Sequence, residues 1–192
     1  MSLLRSLDER LLRIARTRWH SREAERAVIA FSKIGEHGAV WLALGAAGQG
    51  LDRRRRARWR RAVRAVALAY ALNTGLKLLA GRRRPELAGL PALTGTPTGL
   101  AFPSAHAATS FAGAHAYARL GLPRAALYGL ALALSGSRVY LGVHHPSDLL
   151  GGALLGTAVA QLAGPAPALS ATQAPSATQP PPNVRHAMSH AR

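Results

Sequence analysis

Residues 2–18, SLLRSLDERLLRIARTR, place Leu3, Leu4, Leu7, Leu11 and Ile14 at helical spacing, with Arg5, Asp8, Glu9, Arg13 and Arg16 mostly off that face. The pattern predicts an amphipathic helix. Its charges interrupt any continuous apolar stretch, which excludes a signal peptide and favours a position in a membrane interface. Residues 22–34 predict a second helix. Gly35-Glu36-His37-Gly38 interrupts it, and 39–51 continue apolar. A helix of that last length rises only about 20 Å, short of a ~30 Å hydrocarbon core. A span here must recruit 27–34 or sit beside a thinned bilayer.

Further along, the uncharged runs lengthen. Residues 65–81 carry one charge, Lys77. Residues 101–118 carry no formal charge, only His106 and His115, and 125–137 and 149–164 carry none. These runs predict four membrane helices at about 62–80, 104–120, 123–140 and 147–164. Small residues recur in them, as close helix packing in lipid allows. Gly121-Leu122-Pro123 predicts a tight turn between two of them. From 165 the chain changes to Pro, Ala, Ser, Thr and Gln, which predicts a disordered tail over 165–192. The expected organisation is a pair of amphipathic or interfacial helices over 1–35, a membrane-embedded domain over 36–164, and the tail. The fold class is all-α: a polytopic membrane helix bundle with an N-terminal interfacial amphipathic helix.

Charge sharpens this picture. The 192 residues include 25 Lys+Arg against 8 Asp+Glu, a formal net charge of +17. Such a chain invites a nucleic-acid reading. Its charge is clustered instead, in residues 5–26 and in the run Arg53–Arg64, with apolar spans between and few aromatics for base stacking. Each Arg at a bilayer centre costs roughly 2.5–3.5 kcal/mol on insertion scales. The Arg53–Arg64 run therefore reads as a cytoplasmic loop flanking membrane spans, and nucleic acid is not an expected partner. The absence of cysteine excludes a disulfide framework, a thiolate metal site and a Cys nucleophile.

The polar residues fall at helix ends. Lys77 and Arg84 lie at and just past the end of the first long predicted helix. Ser104 and His106 open the second, Ser137 and Arg138 close the third, and His144 and Asp148 precede and open the fourth. Short-looped membrane helices alternate direction, so these ends share one membrane face. Ionisable groups kept there are functional candidates. The set suits a phosphate: Lys77, Arg84 and Arg138 would neutralise its oxygens, and helix N-termini would add backbone donors. One His can attack phosphorus and the other protonate the leaving oxygen, with Asp148 orienting the attacking imidazole. Singly, each residue has a plainer reading: Lys77 as a snorkelling side chain, Ser104 and Asp148 as helix caps, His106 as a satisfied polar group. The spacing is what makes them a set.

That spacing is Lys77-x6-Arg84-Pro85, then Pro103-Ser104-Ala105-His106, then Ser137-Arg138-x5-His144-x3-Asp148. It resembles the three-part signature of the type 2 phosphatidic acid phosphatase superfamily, which also holds the vanadium haloperoxidases. Ala105 departs from it, standing where the family usually has Gly. The resemblance implies His144 as nucleophile forming a phosphohistidine, His106 as general acid and Asp148 as partner of His144. It implies Lys77, Arg84, Ser104 and Arg138 as phosphate binders, with no metal and no cofactor. The implied activity is that of a metal-independent integral membrane phosphatase acting on a lipid phosphate monoester or pyrophosphate, polyprenyl-linked or phosphatidic acid-like. The stretch 31–45, FSKIGEHGAVWLALG, is similar to small members acting on polyprenyl-phosphate sugars such as decaprenylphosphoryl-5-phosphoribose. The alternatives are a vanadate-dependent haloperoxidase and a non-enzymatic scaffold for anionic lipid. The expected location is a bacterial cell membrane. With the Arg53–Arg64 run, Arg119 and Arg124 inside, the site faces outward.

Overall fold

A computed structural model describes residues 3–164, and the tail expected over 165–192 lies outside the described residues. The described chain forms seven α-helices: α1 (Leu3–Thr17), α2 (Arg22–Ile34), α3 (Ala39–Leu51), α4 (Arg56–Ala80), α5 (Ala105–Ala118), α6 (Arg124–Tyr140) and α7 (Pro146–Leu162). Isolated bridges at Arg83–Leu100 and Leu87–Leu90 tie the longest loop, between α4 and α5.

The basic run departs from its expected loop. Arg53–Arg55 form a single 3-10 turn, and Arg56, Arg58, Arg60, Arg61 and Arg64 continue into α4. Arg is a good helix former whose stem carries its charge out to water. Asp52 starts the segment, accepting from the Arg55 backbone N–H, the Arg55 guanidinium and Trp59 Nε1. The arginines stay exposed while Trp59 turns inward, so the helix forms without burying charge.

The helix over 53–80 is long and apolar enough to cross a membrane. The bent pair α2 and α3, meeting at 41° across the Gly35–Gly38 break, passes the same test only when taken together. At 14, 17 and 17 residues, α5, α6 and α7 sit at or below the ~17-residue lower limit for a span. Leu68, Leu72, Leu76 and Leu79 of α4, and Leu150 and Leu154 of α7, face away from the protein along helix stripes. An outward apolar belt of this kind suits lipid rather than water.

At the centre, α5 touches α4, α6 and α7 and buries most of its length. Gly152 and Gly156 let α7 lie directly on it. A Cβ at either position would meet the backbone carbonyl of Ser104 or Ala108. Trp41, Trp59 and Tyr117 fill the far half of the bundle. Tyr117 Oη donates to the Trp41 carbonyl at 2.6 Å, and Trp41 Nε1 to Ser110 Oγ at 3.0 Å.

Helix α1 has one face open and one packed. Leu3, Leu4, Leu7, Leu11 and Ile14 face outward, while Asp8, Leu12 and Arg16 are buried against the bundle.

Candidate active site

One end of the bundle gathers the candidate residues. Lys77 lies in the last turn of α4, Ser104 caps α5, His106 follows in its first turn, Arg138 lies in the last turn of α6, and Asp148 in the first turn of α7. The turns between helices are set locally. Gly81, at φ +60°, ends α4 and releases the chain toward Arg84. Gly142, at φ +76°, turns it toward His144. Both are left-handed positions that glycine accepts without strain. Ala105 needs no such freedom, since it opens α5 with ordinary helical backbone.

His144 is buried between α6 and α7. Its Nδ1 lies 3.4 Å from Asp148 Oδ2, and its Nε2 lies 3.2 Å from an Arg84 guanidinium nitrogen. Arg84 can only donate, so Nε2 accepts and the ring proton sits on Nδ1, toward Asp148. Burial pushes the imidazole below its ordinary range, to about 4, with the Arg84 and Lys77 charges adding to the fall and Asp148 opposing it. The ring is neutral near pH 7, with the Nε2 lone pair directed at the cations.

Asp148 is fully buried. Its Oδ2 also accepts from the His145 backbone N–H at 2.8 Å, and its Oδ1 from Arg82 at 2.9 Å. Its carbonyl accepts from the Ser104 N–H at 2.9 Å, joining the starts of α5 and α7. Lys77 Nζ donates to the Leu100 and Ala101 carbonyls at 3.2 Å each. Arg84 is held by the Thr98 and Val143 carbonyls at 2.8 Å. Arg84, Asp148 and Arg138 are all near enough for their charges to act on Lys77. Ser137, between them in sequence, bonds back to the Leu134 carbonyl of its own helix.

α2 also contributes to this end. Ser32, buried, accepts from Arg138 at its Oγ (2.8 Å), and its carbonyl accepts from His106 Nε2 at 3.0 Å. Gly35 follows with no side chain, and a Cβ there would stand 2.9 Å from His106 Cδ2. Sequence reasoning missed Ser32, Gly35 and Asp8, and placed Arg82 beside the phosphate site without a partner. The available signals were a small polar residue on an apolar helix and a glycine at its end, both too common to single out.

The other end of the bundle is basic as well. Arg58, Arg61 and Arg119 line a cavity of about 470 Å³ floored by alanines, and Arg55 donates to the Leu120 carbonyl at 2.8 Å. The arginine run and the α5–α6 turn therefore share the end opposite His144.

Residues 59–167 match the model of the PAP2 superfamily. Decaprenylphosphoryl-5-phosphoribose phosphatase of Mycolicibacterium smegmatis is 40% identical over 124 residues, covering 64% of this chain and 68% of that protein. The protein of the same name from Mycobacterium tuberculosis is 39% identical over 129 residues, covering 67% and 72%. Among solved structures, LpxE of Aquifex aeolicus aligns with a TM-score of 0.72 at 25% identity, covering 85% of this chain and 98% of that one. A transmembrane PAP2 type phosphatidylglycerolphosphate phosphatase from Bacillus subtilis aligns at 0.68 and 22% identity, over 85% of each, a likeness of fold. A helical bundle with lipid-facing leucines, carrying these histidines and cations at one end and matched over most of its length, belongs to the PAP2 superfamily and is one of its membrane phosphatases.

Proposed function

We propose that the chain hydrolyses the phosphate monoester of a polyprenyl-linked lipid, with decaprenylphosphoryl-5-phosphoribose as the first candidate substrate. The observation that carries this is the likeness, at about 40% identity, to two proteins named for that activity. In this reading Arg84 releases His144 Nε2 to an incoming phosphate and binds its oxygens, together with Lys77, Arg138 and the α5 N-terminus at Ser104. Neutral His144 attacks phosphorus through Nε2. The bond between phosphorus and the ester oxygen breaks, and His106 protonates that oxygen, which stays on the ribose. Because Nε2–H already donates to the Ser32 carbonyl, His106 enters this step as an imidazolium and gives up the proton on Nδ1. Water then attacks the phosphohistidine, His106 takes its proton, and phosphate leaves. Charge on the phosphoryl oxygens is met by three side-chain cations, so the reaction is read as metal-independent.

The active site faces outward. Positive ends of membrane proteins stay in the cytoplasm, and Arg55, Arg58, Arg61 and Arg119 mark the end opposite His144. α1 lies in the outer interface with its leucines in lipid. The location is the bacterial cell membrane.

The test is phosphate release by the purified full chain in lipid, from polyprenyl phosphosugars and from phosphatidic acid, with and without chelator. The expected result is chelator-resistant turnover of the polyprenyl substrate, abolished in His144→Ala. Preference for phosphatidic acid would overturn the substrate assignment, and an active His144→Ala would overturn the mechanism.

A further inference from the structure

Asp148 has two oxygens, and the reaction as read uses one. Oδ2 faces His144; Oδ1 is held by Arg82, whose other terminal nitrogen reaches Asp8 Oδ2 at 2.8 Å. Asp8 belongs to α1, is 4% exposed, and also accepts from Ser147, through the backbone N–H at 2.9 Å and the hydroxyl at 2.5 Å. Ser147 Oγ in turn lies 2.7 Å from Arg82. A guanidinium thus joins two buried carboxylates, one on the N-terminal helix and one beside the nucleophile. These bonds, with those from Ser147, hold Asp8 below its usual carboxylate range although burial works against them.

We propose that Arg82 is a positioning residue for the hydrolysis and that Asp8 holds it in place, which makes α1 a working part of the active site. The proposal rests on the reading of His144 as nucleophile and Asp148 as its partner. The His144–Asp148 contact, at 3.4 Å, is longer than the 2.7–2.9 Å of a close charge-assisted bond. Its geometry therefore depends on what fixes the rest of the carboxylate. Arg82 fixes it from the other oxygen, and its planar fork spans both acids as a lysine ammonium does not.

The charge balance gives Asp8 its purpose. When His144 attacks, its ring becomes cationic and is stabilised by the negative Asp148. Arg82 alone would cancel that charge. With Asp8 ionised, the group of Asp8, Arg82 and Asp148 carries one net negative charge, as a lone Asp148 would. Arg82 then orients the carboxylate without weakening its field at the ring. Without Arg82, Asp8 would also be a buried anion with no cation beside it.

The experiment measures kcat and KM of the full chain in lipid on a polyprenyl phosphosugar, with the inhibition constant of inorganic phosphate as a reading of the intact cation cradle. Arg82→Gln should lower kcat about 10- to 100-fold, the usual cost of losing a residue that orients a catalytic group. KM and phosphate inhibition should stay within about twofold of the parent. Arg82→Lys should recover only part of the loss. Asp8→Asn should lower kcat alone, and add nothing in the Arg82→Gln background. A KM rise at constant kcat would make Arg82 a substrate-binding group and overturn the proposal. So would multiplicative effects of the two substitutions, or loss of phosphate inhibition along with kcat, which would mark a role in folding. His144→Ala separates the two failures. If it is inactive while Arg82→Gln is fully active, only the positioning role falls; if it is active, the reading beneath it falls first.

Discussion

Arg84 donates a hydrogen bond to His144 Nε2, the ring nitrogen proposed to attack, at 3.2 Å. The resting site is thus closed on itself, and substrate must compete with an internal bond. The same guanidinium is anchored by the Thr98 and Val143 carbonyls, so it can turn toward phosphate without leaving the site. Arg84→Lys keeps the charge and loses the forked geometry. We expect kcat/KM to fall at least about tenfold, roughly 1.4 kcal/mol of transition-state stabilisation, measured by steady-state kinetics.

His144 titrates below its ordinary value near 6.5, at about 4. The unfolded chain therefore takes up this proton at a higher pH than the folded one. Between about pH 4 and 6.5 the unfolded state binds more protons, so stability rises with pH across that window. Thermal unfolding should show that slope in the parent protein and a flatter one in His144→Gln. Equal slopes would mean that the buried ring does not govern acid stability.

Ser32 serves two partners through two different groups. Ser32→Ala keeps the carbonyl that holds His106 and removes the hydroxyl that meets Arg138. A buried donor left without its partner costs about 1–3 kcal/mol. The expected result is a raised KM with kcat little changed. Gly35→Ala should do the reverse, because its Cβ would press on His106. There kcat should fall, most for substrates with poor leaving groups, with the melting temperature as a check on folding.

Gly156→Ala should destabilise the bundle by about 1–3 kcal/mol through overpacking against the Ala108 carbonyl. Gly129→Ala, a position with no neighbour within 4 Å, is the control. A melting temperature lowered equally by both would show that α5 and α7 do not depend on close approach.

Orientation is tested by topology reporters. A reporter active only in the cytoplasm, fused after Arg119, should give signal, and one inserted in the 87–98 loop should give none. The opposite pattern would turn the active site to the inner leaflet.

The helices were largely legible, because uncharged runs of this length and the Gly35–Gly38 break have few other solutions. The start of α4 was not. Counting charges marked Arg53–Arg64 as non-spanning, which its exposure supports, but charge does not forbid helix, and from Arg56 on the run forms about two and a half turns of α4. The candidate residues could be picked out as a set because their spacing falls around two loops, α4–α5 and α6–α7, and the structure brings both to one end of the bundle. Asp8 was read only as a charge off the apolar face of α1. Its partner Arg82 lay beside Arg83 and Arg84, and nothing in a row of three arginines says which one meets a carboxylate from the far N-terminus. Ser32 was hidden for the same reason, since its contacts come from α5 and α6.

The burial of α5 bears on how the protein is made. Ser104, His106, Thr109 and Ser110 lie on a short helix that lipid alone would receive poorly, and protein surrounds it on nearly every side. Two of the small residues that let it be enclosed, Gly152 and Gly156, belong to α7, the last of the described helices to leave the ribosome. During synthesis α5 must therefore wait, sheltered by α4 or held by the insertion machinery, until α7 arrives. The lipid-facing helices can enter the membrane one by one, whereas the candidate site is assembled only once α7 has closed over α5.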